Sequence, residues 1–251
     1  MNDASAATLV ELFSSAQGEG PLVGVRQVFL RFASCNLACN YCDTGYDVSP
    51  FCQIEATPGR GDFMAVPNPV RLETIIAVLA RWSHGWPGLH HSLSITGGEP
   101  LLAVETLIIW LPELRRRMPI FLETNGTLPE ALMRVKLWLS HISMDIKLPS
   151  ASGHPEQWEV HRAFLQASQG VETSVKVVVG EATEEWEVQK AAAVVRGVSP
   201  TIPFILQPLS VSHKDQRAIS ALRLLELQEL ASRYLRDVRI IPQTHKSIGT
   251  L

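Results

Sequence analysis

"RFASCNLACNYCDTGY", residues 31–46, gathers three of the chain's four cysteines within eight positions. Cys35, Cys39 and Cys42 stand in a Cys-x3-Cys-x2-Cys spacing, directly after the apolar, β-prone run QVFLRF (27–32). They therefore belong to the loop that leaves a strand. Such a loop is a metal site, a redox site or a group of reduced cysteines packed against the core. Structural zinc closes its shell with four ligands. Cys52, ten residues beyond Cys42, or a distant histidine would have to supply the fourth, and neither makes a usual zinc spacing. Thiolates are the usual ligands of iron–sulfur clusters, and three of them on a four-iron cluster leave one iron open.

Outward from this loop the chain alternates between short β-branched or aromatic runs and helical patterns. Strands are expected at 27–32, 92–96, 120–124, 141–147, 173–179, 203–207 and 237–241. Helices are expected near 70–83, 103–118, 129–139, 155–168, 183–196 and 215–235. Strand–helix alternation predicts parallel strands joined by right-handed crossovers. Six or seven units fall short of an eightfold barrel, so the expected fold is α/β, a partial, open parallel β/α barrel in one domain over residues 1–251. Residues 45–69, rich in Pro and Gly and without a sustained period, read as a loop insert and a lid over a site. Working residues in parallel α/β folds lie at the carboxyl ends of strands. Here those ends read SCNLACNYCDT, TGGEP, ETNGT, DIKLP, QPLS and PQTHK, so the unusual polar and glycine-rich stretches fall on one rim.

Composition narrows the class. Among 251 residues, 46% are apolar and 19% charged, which is enough to bury a sizeable core. A net charge of −3 and the lack of a basic run argue against nucleic acid or an anionic membrane as partner. The first dozen residues have no signal-peptide pattern, and the most apolar segments are too short or interrupted to span a bilayer. A cytoplasmic location is expected, where clustered thiols serve metals or catalysis rather than disulfides.

TGGEP (Thr96–Pro100) ends a strand with two glycines that let a ligand approach the backbone. Combined with Cys-x3-Cys-x2-Cys on the preceding strand, it resembles the radical S-adenosylmethionine superfamily. That resemblance implies one [4Fe-4S] cluster on Cys35, Cys39 and Cys42, and S-adenosylmethionine on the open iron. It implies reductive cleavage to a 5′-deoxyadenosyl radical that takes a hydrogen from the substrate. The sequence "SSAQGEGPLVG", the cysteine loop, "ETNGT" and the closing "QTHKSIGTL", in that order, resemble the 7-carboxy-7-deazaguanine synthase family of the queuosine (deazapurine) pathway. The reaction so implied is conversion of 6-carboxy-5,6,7,8-tetrahydropterin to 7-carboxy-7-deazaguanine by ring contraction with loss of ammonia.

Position by position, the resemblance implies that Ala16, Gln17 and Gly18 meet the polar edge of the pterin. Arg31 would grip its carboxylate through two parallel hydrogen bonds. Thr96, Glu123, His245 and the terminal carboxylate of Leu251 are further expected substrate contacts. Thr44 is the expected Mg²⁺ ligand, one oxygen for an ion that keeps several waters. The expected S-adenosylmethionine contacts are Tyr41, Cys42, Asp43, Gly98, Asp145, Ile146, Lys147, Gln207, Pro208, Leu209 and Ser210. Two positions depart from the family pattern: Asp-Ile-Lys replaces a common Ser-Pro-Lys at 145–147, and QPLS lacks an acidic residue often found near its end. The resemblance also implies a flavodoxin-type or other reductant and a homodimer. The remaining histidines (84, 90, 91, 141, 154, 161, 213) lack ligand spacing and are expected to cap helices or face solvent, and Cys52 has no assigned role. The competing readings are an activase of a glycyl-radical enzyme and a non-catalytic iron–sulfur or zinc module.

Overall fold

A computed structural model describes residues 5–42, 48–210 and 218–250. In chain order its strands are β1 (Ala6–Ala7), β2 (Leu9–Ala16), β3 (Arg26–Phe32), β4 (Phe51–Glu55), β5 (Phe63–Pro67), β6 (Val70–Arg71), β7 (Ser92–Gly97), β8 (Ile120–Thr124), β9 (His141–Asp145), β10 (Glu172–Val179), β11 (Phe204–Pro208) and β12 (Val238–Ile240). The α-helices are α1 (Leu72–Gly85), α2 (Val104–Arg115), α3 (Pro129–Val135), α4 (Pro149–Ser152), α5 (Trp158–Ser168), α6 (Glu185–Arg196), α7 (Ala221–Ser232) and α8 (Thr244–Ile248).

Ten of the strands form one sheet in the order β12-β11-β10-β9-β8-β7-β3-β2-β4-β5, with β12 and β5 at its two edges. From β3 to β12 every neighbouring pair is parallel, as the strand–helix rhythm predicts. The sheet is open, as expected of a partial barrel.

The period-two alternation of strand side chains sorts the sheet into two faces. Val28, Leu30 and Phe32 of β3, Ile142 and Met144 of β9, and Val175, Val177 and Val179 of β10 join the hydrophobic core. Helix residues complete that core. The amphipathic α1 contributes Leu72, Ile75, Val78, Leu79 and Trp82, and Trp110 of α2 tilts against Phe32 with ring centroids 6.1 Å apart. Truncating a fully buried tryptophan such as Trp82 to alanine costs about 3–5 kcal/mol. The alternate residues point the other way. Phe29 and Arg31, Ser143 and Asp145, Lys176 and Val178, and Gln207 line a cavity of about 440 Å³ on the opposite face.

The segment 45–69 corrects the expectation of a loop. Phe51–Glu55 and Phe63–Pro67 pair antiparallel and extend the sheet beyond β2. Asn68 behaves like a strand residue: its amide accepts from Leu9 N at 3.1 Å and donates to Leu9 O at 2.8 Å. The buried Glu55 carboxylate takes Ser14 N (2.9 Å) and Gly61 N (2.7 Å), which fixes the hairpin turn. None of the described residues of this hairpin lines the cavity, so it is a sheet extension and not a lid. The sequence reading also missed β2, which pairs antiparallel with β3 and stacks Phe13 on Phe29 at 5.1 Å.

Candidate active site

The cysteine loop and the glycine-rich end of β7 interlock. Ser34 turns the chain out of β3 with a left-handed φ of 73°. Its carbonyl accepts from Glu99 N at 2.9 Å, while Phe32 O accepts from Gly98 N at 3.2 Å. A Cβ on Gly98 would stand 2.0 Å from Ser34 O, so only glycine permits this approach. Glu99, 1% exposed, accepts from Leu101 N (3.0 Å), Asn125 N (2.8 Å) and the Thr124 hydroxyl (2.9 Å). Burial raises its carboxyl to about 7 against those hydrogen bonds. From the other side, Asn40 N donates to Ser152 O at 3.0 Å, and Ala38 N donates to His154 Nε2 at 3.0 Å.

Cys35, Cys39 and Cys42 all line the cavity. Desolvation raises the thiols of Cys35 and Cys39, which are half-buried, and Leu37 N donates to Cys35 Sγ at 3.4 Å. Cys52 is different. It is fully buried on β4, away from the cavity, and burial pushes its thiol up to about 12, with Glu11 adding to the effect. Cys52 is therefore not a fourth ligand. No three His, Cys, Asp or Glu side chains among the described residues converge on a single-ion site. A four-iron cluster binds each thiolate through a different iron and needs no such convergence. Three thiolates from one loop, beside a glycine strand end with no room for a Cβ, fit that group with one iron left for a ligand.

Further into the cavity lies a buried ionic network. Lys176 pairs with Glu19 and lies 3.2 Å from Asp145 Oδ1, while Lys147 Nζ meets Asp145 Oδ2 at 2.7 Å. Lys147 also stands 5.5 Å over the Tyr41 ring. Burial alone would raise the Glu19 carboxyl, but the Lys176 charge and hydrogen bonds outweigh it and hold the group at about 2. Glu19 Oε1 also accepts from Gln207 Nε2 (3.2 Å) and Gln243 Nε2 (2.6 Å).

The polar end of the cavity centres on Glu123. Its carboxylate accepts from Gln17 Nε2 (2.9 Å), the Ser94 hydroxyl (3.1 Å) and the Thr96 hydroxyl (2.7 Å). Arg31, one-quarter exposed, uses Nε to bond Glu11 at 2.7 Å and lies 5.9 Å over the Phe13 ring. The His245 side chain sits against Gly18, whose carbonyl accepts from Thr244 N at 2.9 Å.

Of the site residues read from the sequence, Ala16, Gln17, Gly18, Arg31, Tyr41, Thr96, Gly98, Glu123, Asp145, Lys147, Gln207, Leu209, Ser210 and His245 line this one cavity with the three cysteines. Two do not. The Ile146 side chain, 1% exposed, points into the hydrophobic core, and its backbone N–H is spent on Lys176 O at 2.9 Å. Pro208 pairs with Val179 at the end of β11 and is not in the cavity wall. Asp43, Thr44 and Leu251 lie outside the described residues. The sequence reading missed Glu19, Lys176, Asn125 and Gln243. Lys176 had a signal, as the lone charge inside the apolar run TSVKVVV, and Glu19 lay within the quoted SSAQGEGPLVG. The histidine expectation also needs correction. His154 holds the cysteine loop, His90 lies 2.7 Å from the Ser14 hydroxyl, and His141 and His161 are buried.

Comparison with known proteins agrees with this geometry. Residues 30–177 match the model of the Radical SAM superfamily, which spans the cysteine loop, the glycine strand end and the inner faces of β7 to β10. The crystal structure of QueE from Escherichia coli shares the fold, with a TM-score of 0.55, 18% identity and coverage of 95% of this chain and 94% of that one. Over 247 residues the chain is 51% identical to the 7-carboxy-7-deazaguanine synthase of Geobacter sulfurreducens, covering 98% of both. It is 36% identical over 262 residues to that of Methanothermobacter thermautotrophicus, covering 97% of both. The chain belongs to the 7-carboxy-7-deazaguanine synthase family, within the radical SAM superfamily. Membership implies a [4Fe-4S] cluster and S-adenosylmethionine. No helix among the described residues is long and apolar enough to cross a membrane.

Proposed function

We propose that this chain converts 6-carboxy-5,6,7,8-tetrahydropterin to 7-carboxy-7-deazaguanine with loss of ammonia, for deazapurine synthesis in the cytoplasm. The observation that carries the reading is the sharing of one cavity by the cysteine loop, the Gln17–Glu123–Thr96 cluster and Arg31. When bound, the cluster and S-adenosylmethionine supply the hydrogen-abstracting radical.

The protein's own residues bind, orient and shield. Cys35, Cys39 and Cys42 hold the cluster. Gly98 offers backbone to the cofactor's amino group, Tyr41 its ring to the adenine, and Asp145 and Lys147 the polar contacts to ribose and carboxylate. Gln207, Leu209 and Ser210 close that side. Glu123, already oriented by three donors, accepts from the pterin's amino group, and Gln17 is held in plane by Gln27 and Glu123. The Glu11 bond to Nε fixes the Arg31 plane, so its two Nη groups face the substrate carboxylate as a fork. His245 and the Leu251 carboxylate complete the substrate contacts, and Thr44 offers its hydroxyl to Mg²⁺. A flavodoxin-type reductant supplies electrons, and the chain works as a homodimer built from one domain.

Substrate choice tests this reading. Anaerobic, reduced enzyme is expected to consume 6-carboxytetrahydropterin and to leave tetrahydropterin, which lacks the carboxylate, essentially untouched. Equal consumption of both contradicts it.

A further inference from the structure

No role above falls to Asn125, in the ETNGT segment that leaves β8. It is 5% exposed, and its backbone N–H is fixed on Glu99 Oε2 at 2.8 Å. Its side-chain orientation follows from its partners. Oδ1 receives the Thr127 backbone N–H at 3.1 Å and the Thr127 hydroxyl at 2.6 Å. A backbone N–H can only donate, so the amide oxygen must be the atom facing it, and Nδ2 must point the other way. There Nδ2 donates to Asn36 Oδ1 at 2.9 Å and reaches Cys35 Sγ at 3.9 Å. Asn36 is itself held, donating to the Thr127 hydroxyl at 2.8 Å. One side chain thus spans from the carboxylate of the GGE motif to the first cysteine.

Hydrogen bonds to ligand sulfur stabilise the more negative, reduced form of an iron–sulfur cluster and so raise its potential. We propose that Asn125 is a positioning residue that donates an N–H to the Cys35 thiolate and thereby raises the reduction potential of the cluster. The inference rests on reading Cys35, Cys39 and Cys42 as cluster ligands.

The test is an EPR-monitored redox titration of the reconstituted full chain, with iron and sulfide counted in every sample. Wild type is compared with Asn125→Ala, Asn125→Asp and Thr127→Val. Asn125→Asp keeps the shape and the acceptor but loses the donor. Thr127→Val loosens the loop, while the Thr127 backbone N–H still orients the amide. At a fixed solution potential, Asn125→Ala should lower the reduced-to-oxidised ratio about fivefold, the scale of one such hydrogen bond. Asn125→Asp should lower it further, and Thr127→Val should match wild type. Unchanged potentials in both Asn125 variants, or an equal shift in Thr127→Val, overturn the proposal. Failure of both Asn125 variants to take up a cluster that wild type holds also overturns it, because the role is then structural. A wild-type chain that assembles no cluster defeats the ligand reading itself, and the inference with it.

Discussion

Gln243 donates its side-chain amide to Glu19 at 2.6 Å, so the segment before α8 is fastened to the turn after β2. The other oxygen of the same carboxylate holds Lys176, 157 residues away in sequence. Ser210 then bonds Gln243 at 2.5 Å, and Thr244 bonds Gly18 through both its backbone N–H and its hydroxyl. One buried carboxylate therefore sets the relation between the antiparallel N-terminal strand, the parallel strand β10 and the segment carrying His245.

Removing that charge should be costly. Glu19→Gln leaves Lys176 with only part of its compensation, and a broken buried pair costs about 3 kcal/mol. The pH dependence has a definite sign. The Glu19 carboxyl falls from 4.5 to about 2 on folding, so its contribution is complete above pH 4.5 and is lost as pH drops toward 2. Urea unfolding of the cluster-free full chain at pH 6 and pH 3 should show the variant's deficit shrinking at the lower pH. Equal stabilities at pH 6 would contradict the network's role.

Gly18 must stay glycine for a reason distinct from backbone conformation. A Cβ there would lie 2.0 Å from Nδ1 and 2.6 Å from Cβ of His245, so rotating the imidazole cannot clear it. Gly18→Ala should displace His245 and lower kcat/KM about 100-fold, the scale of a misplacement near 1 Å. Iron content should stay at the wild-type level, which separates this loss from cluster damage.

Arg31 acts as a fork, not as a bare charge. Arg31→Lys keeps the charge but loses the second parallel bond, and kcat/KM for the carboxylated substrate should fall roughly 30-fold. Steady-state kinetics should place the loss mainly in KM. A lysine variant with wild-type KM would mean that Arg31 serves only its Glu11 pair.

The four cysteines divide into three and one. Cys39→Ala should abolish cluster assembly, whereas Cys52→Ala should retain about four iron per chain and lose only about 1 kcal/mol of stability from a buried side chain. Iron and sulfide analysis with thermal unfolding checks both. Loss of iron in the Cys52 variant would restore it as a ligand.

Much of this architecture is local in origin and so was readable along the chain. β10 is a near-continuous apolar run because both its faces are covered, and helices such as α1 carry their buried face at helical spacing. The strand ends that hold function were legible because glycine pairs, clustered thiols and ETNGT have no place in a plain core. β2 was missed because LVELFSSA buries two serines against a neighbouring strand, a pattern without alternation. The hairpin at 51–67 was missed because its turn residues and exposed outer strand hide a pairing that only the sheet edge supplies. Ile146 was misplaced by one step of the strand pleat, since its neighbours Asp145 and Lys147 face the cavity. The Glu19–Lys176 pair comes from residues far apart, and no window of sequence contains both.

The most direct measurement is the anaerobic reaction of the reconstituted, reduced chain with S-adenosylmethionine, Mg²⁺ and 6-carboxytetrahydropterin, followed by mass spectrometry. The account predicts a product lighter than the substrate by one ammonia, formed along with 5′-deoxyadenosine. Formation of 5′-deoxyadenosine with the pterin returned unchanged would contradict it, leaving the radical chemistry with a different substrate.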